Sequence, residues 1–115
     1  MTNILLGLLL KNKMPIILIY ATFENLEQAK KIANHLLEKK LIACVNFIHI
    51  ENFYWWNEKI ENANEILAIL KTRQENWEKV RSEIKKLHSY DIPCIIKIDV
   101  EANKEYKEWI IQETE

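Results

Sequence analysis

The hydrophobic pattern becomes regular at Ile16-Ile17-Leu18-Ile19-Tyr20, a continuous apolar run rich in β-branched residues. Such a run predicts a strand buried on both faces. Leu26, Ala29, Ala33, Leu36, Leu37 and Leu41 then recur at helical spacing, with Glu27, Lys30, Lys31, Glu38 and Lys39 between them. That is an amphipathic helix of about four turns, capped by Thr22 or Asn25. Residues 42–60 read as extended, which is long for one strand and predicts a bend or bulge. Asn62-Ala63-Asn64 reads as a turn, and residues 65–71 as another buried strand. Thr72 with Glu75 three positions on has the form of a capping box. Trp77, Val80, Ile84 and Leu87 give a second amphipathic helix, and Pro93 bars its continuation. Residues 94–100 are a last strand. Residues 103–113 form a short helix with Tyr106, Trp109 and Ile110 on one side.

The order β-α-β-β-α-β plus a terminal helix predicts an α+β fold on the ferredoxin-like, split βαβ plan. Two helices cover one face of its sheet, and the other face is left for something else to cover. Phe53-Tyr54-Trp55-Trp56 sharpens that expectation. On a strand, Tyr54 and Trp56 share one face, and Phe53 and Trp55 the other. A small domain has one core to offer, so one pair awaits a subunit or a ligand.

Composition narrows the chemistry. The chain has 115 residues, enough for one domain, with 16 basic and 17 acidic side chains. That balance gives no overall field favouring nucleic acid or an anionic membrane. One glycine, Gly7, excludes a phosphate-cradling loop or a dinucleotide fingerprint. Two distant cysteines, Cys44 and Cys94, suit free thiols in a cytoplasmic protein. Residues 1–13 contain an apolar run too short to span a bilayer and without the flanks of a signal peptide. They read as an extension outside the core domain, 14–115, with Met14 a natural start.

From Ile16 onward the chain resembles the CutA divalent-cation tolerance family. The resemblance is carried by Ala21-Thr22, Leu41-Ile42-Ala43-Cys44-Val45-Asn46, Tyr54-x-Trp56 followed by Ile60 and Glu65, Lys71-Thr72, His88-x-Tyr90-x-x-Pro93 and Tyr106-x-x-Trp109. One departure is Glu58, where the family has glycine. A turn needing positive φ would favour glycine there. The resemblance implies a homotrimer built like the PII signalling proteins, its sheets packed inward and its long middle strands reaching neighbouring subunits. It also implies high stability.

The resemblance invites a metal, copper or another divalent ion, not required for folding. The family's copper ligands include a cysteine ending the first strand and a His pair before the tyrosine. Here those positions hold Ala21, and Leu87 followed by His88. His88 and Cys44 are the metal candidates that remain, each with a competing structural reading. Cys44 suits a small buried strand residue, and His88 a helix C-terminus that favours a cation. Cys94 reads as buried, His35 as solvated, and His49 as an interface hydrogen-bonding group.

Tyr54, Trp56, Glu65, Lys71 and Tyr90 form the stronger functional group, placed by analogy in a cleft between subunits. Glu65 and Lys71 are a candidate charge pair, and Trp109 packs on a neighbour or on the sheet. All of them equally suit an interface. No nucleophile elbow, His-Glu-x-x-His motif or recognisable carboxylate pair supports catalysis. The expectation is a non-enzymatic, cytoplasmic homotrimer acting in the response to divalent metal, by binding it or by signalling through its clefts. The competing expectations are a PII-like small-molecule sensor, a structural trimer, and a dimeric α+β-barrel enzyme.

Overall fold

The computed structural model describes residues 14–115, so the extension at 1–13 lies outside the described residues. Four strands and three helices follow in the order β1 (Ile16–Phe23), α1 (Leu26–Glu38), β2 (Cys44–Trp56), β3 (Lys59–Arg73), α2 (Trp77–Leu87), β4 (Ile95–Val100) and α3 (Lys104–Glu113). The sheet order is β2-β3-β1-β4, and every pair of neighbours is antiparallel.

Register decides what each face carries. Ile17, Ile19, Ala21 and Phe23 of β1 share a face with Ile66, Ala68 and Leu70 of β3. This face packs against Ala29, Ile32 and Leu36 of α1 and Val80 and Ile84 of α2. Burying a large aliphatic or aromatic side chain fully is worth about 1.5–3 kcal/mol, so this layer supplies most of the apolar stabilisation. The opposite face is covered at one end only, where Ile110 and Ile111 of α3 pack on Ile16. Beyond α3, Ile48, Ile96 and Ile98 stay exposed, at 44%, 50% and 41%. Ile98 and Ile96 lie opposite half-buried Leu18 and Tyr20, Tyr20 lies opposite Ile69, and Ile48 lies opposite Leu67, which together make an apolar sheet surface.

β1 pairs with β3 only as far as Phe23 opposite Ile66. Beyond that point β2 and β3 continue alone as a two-stranded arm to Trp56 opposite Lys59. The 15 residues of β3 account for about 50 Å at ~3.4 Å each, which explains a long axis of 61 Å against 24 and 21 Å. An isolated two-stranded hairpin is at best marginal in water. This one carries Phe53, Trp55 and Ile60 exposed at 67%, 72% and 63%.

Three local expectations need correction. The turn is not at Asn62-Ala63-Asn64, which lie within β3; the chain reverses at Asn57-Glu58. Both turn residues have positive φ, 50° and 65°, as a two-residue hairpin with the right-handed twist of its strands requires. Glu58 therefore takes the conformation for which glycine is suited. The ladder from Cys44–Lys71 to Trp56–Lys59 runs without a bulge, because two long strands pair directly and need no bend. Thr72 does not cap α2. It is buried at the end of β3, and its hydroxyl donates to Leu41 O at 2.7 Å, while Asn76 donates to the same carbonyl at 3.2 Å.

The ends of α1 follow local rules more closely. Asn25 Oδ1 accepts from Gln28 N at 2.8 Å, a regular N-cap. At the other end the helix stops at Glu38, short of Leu41. Lys40 has φ 57°, with Lys40 N donating to Leu37 O and Leu41 N to Leu36 O, each at 3.0 Å. This is a Schellman ending with lysine where glycine is usual.

Candidate functional site

Where the arm leaves the sheet, the open face forms a cavity of about 440 Å³. Tyr54 and Trp56 reach it from β2, Glu65 from β3, and Tyr90 from the loop after α2. Alternation along the strands explains the choice of walls. Asn52, Tyr54 and Trp56 share the open face with Ala63, Glu61 and Lys59 opposite them, while Phe53 and Trp55 face the other way.

Glu65 is the centre of the arrangement. It is 5% exposed, and a buried carboxylate is costly unless hydrogen-bonded. Tyr90 OH donates to its Oε2 at 2.6 Å, and Asn52 Nδ2 donates to its Oε1. The Tyr90 hydroxyl is held well above the ordinary tyrosine range. Burial is the main cause, followed by the hydrogen bond to Glu65 and that group's charge. Cys94 lines the same cavity, and burial pushes its thiol up despite a hydrogen bond with Thr22.

His88 stands behind Tyr90. Its Nε2 donates to Thr22 O at 2.7 Å, and its Nδ1 accepts from Tyr90 N at 3.0 Å. The ring stacks on Phe23 with centroids 5.0 Å apart and tilts against Tyr90 at 4.7 Å. Both nitrogens are engaged, which defines a tautomer protonated at Nε2 and leaves neither nitrogen a free lone pair. His88 thus positions the Tyr90 loop.

Tyr54, Trp56, Glu65 and Tyr90 come together, and Lys71 and Trp109 lie elsewhere. The suggested Glu65–Lys71 charge pair does not form, because the two residues are well separated along β3. Lys71 Nζ donates to Tyr106 OH at 3.3 Å and lies 5.4 Å from that ring's centroid. Trp109 stacks on Tyr106 at 5.6 Å, so these residues make a second cluster under α3. His35 is not simply solvated: its Nε2 lies 2.8 Å from Glu83 Oε2, linking α1 to α2. His49 is exposed on the helix side of β2.

A resident metal does not fit one chain. Cys44 pairs with Lys71, level with Leu18, whereas His88 is bonded to Thr22 further along β1. The described residues contain no group of three or more His, Cys, Asp or Glu side chains able to hold a metal ion. Asn52, Ser89, Asp91 and Cys94 are cavity residues that sequence reading did not assign. For Asn52, its place two residues before Tyr54 on an alternating strand was the available signal.

Comparison with known proteins agrees with this geometry. Residues 17–113 match the family model of the CutA1 divalent ion tolerance protein. The divalent-cation tolerance protein CutA of Pyrococcus horikoshii is 48% identical over 99 residues, spanning 85% of this chain and 97% of that protein. The solved structure of the periplasmic divalent cation tolerance protein CutA from Archaeoglobus fulgidus superposes with a TM-score of 0.85 at 48% identity, covering 87% of this chain and 99% of that one. CutA1 from Oryza sativa superposes with a TM-score of 0.85 at 36% identity, covering 88% and 94%. The resemblance read from Tyr54-x-Trp56, His88-x-Tyr90 and their neighbours is thereby established, and the chain belongs to the CutA1 divalent ion tolerance family.

Proposed function

We propose that this protein acts in tolerance of divalent cations, copper first among them, as a non-enzymatic homotrimer with a ferredoxin-like subunit. The observation that carries the assembly is the arm from 50 to 65. It exposes Phe53, Trp55 and Ile60 on one side, its other side continues the uncovered apolar sheet face, and among the described residues it has no core of its own chain to rest on. Neighbouring subunits supply the cover, as self-association by closed symmetry allows. The cavity of Tyr54, Trp56, Glu65 and Tyr90 then lies at a subunit boundary and serves as the cleft through which the protein responds.

Signalling through the cleft is favoured over a resident metal site, because both His88 nitrogens are occupied and Cys44 stands apart. His88 and Cys44 remain the two residues to test for metal contact. The protein works in the cytoplasm in this reading, with its two cysteines as free thiols. Among the described residues, no helix is long and apolar enough to cross a membrane.

Three measurements test the proposal together: the mass in solution, calorimetric titration with copper and zinc, and metal sensitivity of a deletion strain. A trimeric mass and altered metal tolerance are expected. A monomeric mass, or no copper binding near micromolar concentration together with unchanged tolerance, would sink it.

A further inference from the structure

The cavity at the root of the arm has one-sided chemistry. Three aromatic side chains line it, Tyr54, Trp56 and Tyr90, together with the carboxylates Glu65 and Asp91. Among the described residues no Lys, Arg or His lines it. A further carboxylate, Glu24, accepts from Ser89 on the rim, and its charge is felt at the Tyr90 hydroxyl.

Glu65 is the telling member. Both its oxygens accept hydrogen bonds, as a carboxylate does, and both donors are neutral. A charge buried to this degree is ordinarily paired. Here the carboxylate lines a cavity together with Tyr54, Trp56 and Tyr90. The faces of tryptophan and tyrosine attract positive charge through their quadrupole, more strongly where water is excluded.

We infer that the cavity binds a small organic cation, an amine or quaternary ammonium group, seated against Trp56, Tyr54 and Tyr90 with its charge directed at Glu65. The volume of about 440 Å³ lies in the range of small-molecule sites. A bare metal ion is a poorer occupant, because it demands several direct ligands and the described residues gather no group of three His, Cys, Asp or Glu side chains that could hold one. An organic cation needs only ring faces and a negative potential. An anion meets carboxylates without a basic partner.

This inference rests on the cleft reading above, and its test separates the two. The full-length assembled protein is titrated by calorimetry and tryptophan fluorescence with four probes: tetramethylammonium, its uncharged isostere tert-butanol, acetate, and copper. Tetramethylammonium should bind in the millimolar range, about tenfold more tightly than tert-butanol, with acetate silent. Glu65→Gln and Trp56→Leu should each weaken it about tenfold at unchanged assembly mass. If Trp56→Leu dissociates the assembly, Glu65→Gln carries the test. Equal binding of tert-butanol overturns the cationic class and leaves the cleft standing. Copper binding without tetramethylammonium binding overturns it in favour of a metal. Silence from every probe on an intact assembly overturns both.

Discussion

Tyr90 donates its hydroxyl proton to Glu65 at 2.6 Å, tying the loop after α2 to the root of the β2–β3 arm. Two pieces of chain that share no ladder are joined at a buried charge. Tyr90→Phe keeps the ring and removes the donor. It should cost about 1–3 kcal/mol, the usual penalty for leaving a buried acceptor short of a partner. Denaturant unfolding measures it, and a change near zero would mean that Asn52 alone satisfies the carboxylate.

The same contact sets an alkaline limit. The Tyr90 pKa is raised in the folded state above its ordinary value of 10.0, by burial first and by Glu65 second. The unfolded chain therefore loses this proton earlier than the folded one. The stabilisation is complete below pH 10.0 and declines as pH rises beyond it. Melting temperatures taken across the alkaline range should fall less steeply in Tyr90→Phe than in the parent.

On the acidic side, Glu83 plays the opposite part. Its pKa lies below the ordinary 4.5, mainly through the hydrogen bond with His35 and with help from Lys39 and Lys86. Its contribution is present above pH 4.5 and is lost as pH falls through the lower folded value. Glu83→Gln should flatten that part of the acid-unfolding profile. An unchanged profile would show that the helix–helix contact persists without the charge.

Lys40 and Glu58 hold positive φ, 57° and 65°, where a Cβ is unfavourable. Lys40→Gly and Glu58→Gly should each raise stability by about 1 kcal/mol, since the gain from relieving strain exceeds the added freedom of the unfolded chain. Thermal unfolding of the single and double variants checks this. A fall on either change would mean that the native side chain makes a compensating contact.

Ile98 tests the open sheet face. It is 41% exposed and lies opposite half-buried Leu18. Ile98→Asp should leave the fold of the isolated subunit intact but weaken assembly by 2 kcal/mol or more, roughly the loss at an interface hot spot. Sedimentation across a dilution series reads it directly. An unaltered mass at every concentration would show that this face is not a contact.

The element order was legible because β1 and the two main helices carry strong, single-period patterns. Ile16 to Tyr20 and the spacing of Leu26, Ala29, Ala33 and Leu36 admit one reading each. The arm was harder. It is amphipathic on neither face, and the reversal falls at Asn57-Glu58, without the glycine that marks such turns. Asn62-Ala63-Asn64 looked more turn-like, yet lies within a strand held by its partner. Local preference yields there to pairing across the ladder. The cavity residues Tyr54, Trp56, Glu65 and Tyr90 stand in the motifs from which the resemblance was read. Within one chain Lys71 lies apart from them, because distance along β3 separates residues that a motif groups together. His35 reads as solvated from α1 alone, because its partner Glu83 lies on a different helix and no periodicity within α1 reports it.

The arm has a genetic consequence. Two walls of the cavity, Tyr54 and Trp56, belong to a hairpin that, among the described residues, is paired with no further strand of its own subunit. In the proposed assembly, each copy depends on its neighbours to hold that segment in place. A copy with a damaged sheet face would spoil intact copies assembled with it. Such an allele would be dominant over the normal one, and its severity would follow the ratio in which the two are expressed.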